Sequence, residues 1–241
     1  IDLYGFSEDD DQVKNARQEM ITDVKIKELI AELHNWPGTN LKAHNDASHL
    51  LHKLVFLADI GLKHFDPGMT VVIQKILSNQ SNEGIFQVQV NIKPAYGGSG
   101  KDEFAWILCD APLISYSLVK FGIFADERVQ ASINSLTNLV SENGWPCTAA
   151  PQLGKFRGPG RKSDPCPYAT LVMLKLLSAL PSNDQYPART GTEAILTLWQ
   201  QRKERKAYLF GMGTDFRKLK APLIWYDLLH VLDVLSNFTW L

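Results

Sequence analysis

The sequence predicts an all-α protein built from helical hairpin repeats of about 55 residues. Three observations predict it. The first is a set of three apolar helix patterns, each opening on a proline: "APLISYSLVK" at Pro112, "PYATLVMLKLLS" at Pro167 and "APLIWYDLLHVLDVL" at Pro222, spaced 55 residues apart and then 55 again. Proline suits the first turn of a helix, where its missing N–H has no intrahelical partner and its φ is already helical. The second is a more amphipathic pattern between these heads. The third is a recurring glycine followed by an aromatic residue after each amphipathic stretch.

The elements follow in order. "QVKNARQEMITDVKIKELIAELHNW" (12–36) predicts an opening helix. "DASHLLHKLVFLADIG" (46–61) resembles the proline-headed runs, with Ser48 as an N-cap where the proline would stand. "GMTVVIQKILSNQ" (68–80), "DERVQASINSLTNLVSENG" (126–144) and "TGTEAILTLWQQRKERK" (190–206) carry apolar residues at helical spacing, as at Val129, Ile133, Leu136 and Val140. "GIFQVQVNI" (84–92) reads as loop or a short hairpin arm. "QSNEGIF" (80–86) and "SENGWPC" (141–147) each predict a glycine C-cap, then an aromatic plug between consecutive hairpins, and "KAYLFGMG" (206–213) is a degenerate third copy. Residues 1–44 form an acidic segment and outer helix. Residues 45–241 form the repeats, in one domain.

Composition excludes several classes. The chain has 241 residues, 45% apolar and 21% charged, with a net charge of −1. That balance gives no reason to expect nucleic acid, and no apolar run is long enough for a membrane span. Three scattered cysteines argue against a disulfide framework and for a reducing, cytoplasmic setting. The chain opens at Ile1 rather than Met, which leaves a removed targeting segment open.

The Gln80, Gly84, Phe86 signature, with Gly144 and Trp145 one repeat on, resembles the squalene-cyclase and protein-prenyltransferase repeat family over roughly residues 45–241. The resemblance implies an α/α toroid, a ring with an inner barrel of proline-headed helices and an outer barrel of amphipathic ones. A six-hairpin ring at this period needs on the order of 330 residues, and this chain ends on apolar "VLDVLSNFTWL"; the expectation is a small or open ring, or a native chain that runs on past Leu241. The family's cyclases use an aspartate cluster, but "EDDD" (8–11) lies outside the repeats and reads as a solvated tail. The family's prenyltransferases hold zinc with Asp, Cys and His. Here "RGPGRKSDPCPYATL" (157–171) resembles the segment that supplies their histidine, with Tyr168 at the matching position. Cys147 and Cys166, with Asp164, His230 or Cys109, would make up a zinc set, yet scattered cysteines are more often buried apolar residues, and no cofactor is expected.

Candidate site residues fall in three groups. Asp227, His230 and Asp233 form a polar stripe on an otherwise apolar helix, and Asp227 with His230 is a candidate acid–base pair. Asp110 and Asp164, with Asp227, are the carboxylates a sugar-acting (α/α) barrel enzyme would use. Asp46, His49 and His52, near His44, share a helical face and read as a locally satisfied helix start. The basic loops "GKFRGPGRKSDPCP" (154–167) and "MGTDFRKLKAP" (212–222) bring Arg157, Arg161, Lys162, Arg217 and Lys218 to two inner-helix starts, where backbone N–H groups and the helix dipole favour an anion. Trp106, Tyr116, Tyr168, Trp225 and Tyr226 would line an apolar lumen below. The layout predicts an apolar small molecule with an anionic head group, such as an isoprenoid diphosphate, as ligand. The alternatives are a non-catalytic helical scaffold for a protein or glycan partner, and the glycan-acting enzyme.

Overall fold

The computed structural model describes residues 5–41, 46–154, 164–182, 186–205, 216–220 and 227–241. Among them the chain is mostly helical, with one small sheet. The helices are α1 (Asp11–Thr22), α2 (Val24–Leu33), α3 (Leu50–Asp59), α4 (Met69–Leu77), α5 (Ala111–Lys120), α6 (Glu127–Thr137), α7 (Pro167–Ser178), α8 (Tyr186–Gln200), α9 (Arg202–Arg205) and α10 (Leu228–Ser236).

Proline heads two of the buried helices as expected. Pro167 is the first residue of α7 and Pro112 the second of α5. Pro222, Trp225 and Tyr226 lie outside the described residues, and the described part of the third head is α10, capped by Asp227. Eleven of the twelve residues of α7 and eight of the ten of α5 are buried, so these helices have no wet face. Their sequences are largely apolar all round for that reason, with Ser115, Ser117, Thr170 and Lys175 as the buried polar exceptions. α3, α5, α7 and α10 pack side by side in chain order and make a central row; α2 covers α3, α6 covers α5 and α8 covers α7. The covering helices bury one stripe each. In α6 it is Val129, Ser132, Ile133 and Leu136.

Three local expectations change, and the short hairpin arm at 84–92 is present. The opening helix is two helices, because Asp23 takes an extended backbone and its carboxylate accepts the N–H of Lys25 and of Ile26, starting α2 afresh. The N-cap of α3 is His49 rather than Ser48; its Nδ1 accepts the Leu51 N–H at 3.1 Å and its Nε2 faces the Thr39 carbonyl at 2.8 Å. Asp46 precedes that helix and accepts from Ser48, while His44 lies outside the described residues. The 84–92 stretch supplies β1 (Val88–Val90), antiparallel to β2 (Glu103–Ala105).

The repeated glycines are not helix C-caps. Those positions belong to Ser78 and Asn138, and Gly84 and Gly144 lie six residues further on, in the loops. Each has a positive φ, +82° and +109°, and each lets another element come close: Ala131 of α6 at Gly84, Ala194 of α8 and Thr170 of α7 at Gly144. The aromatics then fill the seams. Phe86 and Trp145 are fully buried, and the Trp145 indole N–H donates to the Leu136 carbonyl at 3.0 Å. Gln80 clamps the first repeat, its amide donating to the carbonyls of Gly84 and of Arg128 in α6.

Candidate metal centre

The three cysteines are far apart in sequence and together in space. The sulfurs of Cys109, Cys147 and Cys166 all lie within 4.8 Å of one another, with Cys109 buried and the other two half-buried. All three are free thiols.

Backbone pairing explains the convergence. Cys109 lies just before α5, and Cys166 is the N-cap of α7. The loop after α6 is stitched to both. On one side, Leu108 donates to the Thr148 carbonyl and Ala150 to the Trp106 carbonyl, at 3.0 and 2.9 Å, and Ile107 bridges Ala149. On the other, Cys166 N–H donates to the Trp145 carbonyl at 2.8 Å, and Pro146 bridges Pro165. Cys147 is therefore held between the starts of two adjacent buried helices. The Gly144–Trp145 pair sets the position of that loop: the Trp145 N–H donates to the Thr170 hydroxyl on α7, and the hydroxyl donates back to the Trp145 carbonyl.

The electrostatics single out Cys166. Its thiol is held well below the ordinary range, first by hydrogen bonds from Cys109 and Cys147. The N–H groups of Ala169 and Tyr168, at the start of α7, add to this, and the Ala169 N–H reaches the sulfur at 3.4 Å. Cys109 moves the other way, raised by its hydrogen bonds with Cys147 and then Cys166, and by burial. The arrangement thus favours ionisation at Cys166 over Cys109. Tyr168 stands beside them, its hydroxyl raised by burial and then by the negative charges of Asp110, Cys109 and Cys166.

The set fits a soft divalent cation. Zinc–sulfur bonds of about 2.3 Å in a tetrahedral site put sulfurs about 3.8 Å apart. Three sulfurs within 4.8 Å need to close by no more than about an ångström. Three thiols satisfy three positions and leave a fourth.

The other sequence candidates scatter. Asp110 is buried next to Cys109 at the head of α5, and Asp164 is exposed two residues before Cys166. Asp227 and His230 are both buried, but the carboxylate meets the backbone N–H of His230 at 2.9 Å and that of Lys220, not the imidazole. Trp106 and Tyr168 lie at the cysteine end of the row. Tyr116 is a full turn further along α5, its hydroxyl donating to Asp59 at the other end. Arg217 and Lys218 are exposed; Arg157, Arg161 and Lys162 lie outside the described residues.

No described helix is long and apolar enough to cross a membrane. No protein-family model, no curated protein and no solved structure matches this chain.

Proposed function

We propose that this protein is an α/α-toroid transferase in which Cys109, Cys147 and Cys166 hold a zinc ion at the mouth of the inner helices, and in which an apolar substrate with an anionic head group is bound beside it. One observation carries the reading: three sulfurs meet where two buried helices begin, tied there by paired backbone rather than by chance proximity. α3, α5 and α7, neighbours that are each covered by a more amphipathic helix, have the arrangement expected of an arc of such a toroid. Zinc in a three-thiolate site supplies a Lewis acid with a free position for a substrate atom. The chain supplies the rest. Cys166 is the most readily ionised ligand, and the α7 N-terminus stabilises its charge. Segment 155–163, with Arg157, Arg161 and Lys162, runs between Gly154 and Asp164 and so connects two of the three cysteines. Guanidinium groups there fork onto phosphate oxygens.

The test has two arms. Reduced protein titrated with Co2+ or Zn2+ takes up one equivalent, with thiolate-to-cobalt charge-transfer absorption, and Cys166→Ser weakens uptake at least tenfold. No uptake by the reduced wild type, or equal uptake by the variant, removes the metal. The second arm titrates an isoprenoid diphosphate: Arg161→Ala weakens it by about 1–3 kcal/mol, the range for a lost charge-assisted hydrogen bond. Equal binding by both proteins leaves the scaffold reading ahead.

A further inference from the structure

The opposite end of the central row holds a second site that the metal reading does not use. A cavity of about 430 Å3 opens where the buried helices finish. Asp59 and Ile60 come from the end of α3, Lys120 from that of α5, Ser178 and Ala179 from that of α7, and Asn237 from that of α10. α5 and α7 are ten and twelve residues long. At 1.5 Å per residue their far ends lie about 15–18 Å from the cysteines.

The floor of this cavity is built. Lys175 is 4% exposed, on a helix that is otherwise apolar, and its ammonium lies 3.0 Å from the Asp59 carboxylate and 4.8 Å from the centre of the Tyr116 ring. The Tyr116 hydroxyl donates to the other Asp59 oxygen at 2.6 Å. Asp233 stands exposed at the rim, and Phe56, Ile60 and Val234 make the walls apolar.

From this we infer that the cavity binds an organic ammonium ion with a short apolar body. The helix ends argue for that sign, because the lining side-chain charges, Asp59 and Asp233 against Lys120 and Lys175, cancel. Lys175 is engaged by Asp59, so the buried cation is already matched. What remains is Asp233 against Lys120, together with helix ends whose carbonyls carry the negative half of each macrodipole. The Tyr116 hydroxyl registers the same field: after burial and Asp59, the charge of Asp233 adds to what keeps it protonated. A primary ammonium would lie between Asp233 and the terminal carbonyls, with its tail along Phe56 and Val234. The volume suits a small ligand.

Three probes of one tail length decide it: hexylammonium, hexanol and hexanoate, titrated into the full chain and followed by NMR shift changes. The ammonium binds best and hexanoate worst. Asp233→Asn, at an exposed position that leaves the floor intact, weakens hexylammonium about tenfold and leaves hexanol unchanged; Lys120→Gln strengthens it. Cys166→Ser leaves all three affinities unchanged, which separates this site from the metal centre. A preference for hexanoate, no binding by any probe, or equal hexylammonium binding to Asp233→Asn overturns the inference.

Discussion

His230 lies on α10 with 2% of its surface exposed and, among the described residues, no hydrogen-bond partner for either ring nitrogen. Burial, and then the charge of Lys175, lower its pKa from 6.5 to about 3. The folded protein therefore keeps this imidazole neutral at a pH where the unfolded chain protonates it. The stability it leaves intact is full above about pH 6.5 and drains away as the pH falls toward 3. At about 1.4 kcal/mol per unit of separation, moving from pH 7 to pH 5 costs about 2 kcal/mol. Urea unfolding of wild type and His230→Leu at both pH values tests this. The wild type should lose about 2 kcal/mol more than the variant, and equal losses would show that the ring is solvated. The sequence picked out His230 as a polar residue on an apolar helix, but it suggested pairing with Asp227. Spacing of three along a helix does not distinguish a side-chain pair from an N-cap, and here the carboxylate caps the backbone of His230. The meeting of the three cysteines is not legible in the sequence for a related reason. Nothing in the spacing of 109, 147 and 166 reveals that two helix starts are adjacent; only the pairing of 106–108 with 148–150 and of Trp145 with Cys166 does so.

At the scale of elements, proline, apolar run and glycine–aromatic pair were legible because each acts locally or along a helix. What the glycines do was not, since close approach depends on elements far away in the chain. Gly191 extends the point. It lies inside α8, where alanine is ordinarily favoured over glycine by up to about 1 kcal/mol. A methyl there would come within 2.8 Å of the Trp145 ring and 3.0 Å of the Leu174 side chain. Overpacking costs typically about 1–3 kcal/mol, and the two crowded neighbours are themselves buried and fixed. Crowding outweighs propensity, so Gly191→Ala should lower stability by about 1–2 kcal/mol. Because Trp145 fixes the loop bearing Cys147, the same variant should also weaken cobalt uptake. Thermal unfolding and cobalt titration of one preparation check both; a variant more stable than wild type would mean that the seam has room.

The whole molecule is held by packing along its central row, and one polar contact crosses three members of that row at once. Asp59 of α3 takes the Tyr116 hydroxyl of α5 on one oxygen and the Lys175 ammonium of α7 on the other, linking residues 57 and 116 positions apart. The two charges are not equally dependent on each other. Asp59 has 31% of its side chain exposed, whereas Lys175 has 5%. Removing the lysine leaves a carboxylate that still holds Tyr116 and still meets water. Removing the carboxylate leaves an ammonium in the core without its counter-charge, and an unpaired buried charge is the costly case. Lys175→Met, which keeps the volume, should therefore change stability by within about 1 kcal/mol, while Asp59→Ala should cost about 2–4 kcal/mol, less than a fully buried pair because the site is partly wet. Chemical denaturation of the two single variants and the double variant gives the comparison directly. In the double variant the stranded ammonium is gone, so its stability should lie well above that of Asp59→Ala alone. A double variant no more stable than Asp59→Ala would mean that the carboxylate acts through Tyr116, and that the row is tied at this end by a neutral hydrogen bond rather than by a desolvated ion pair.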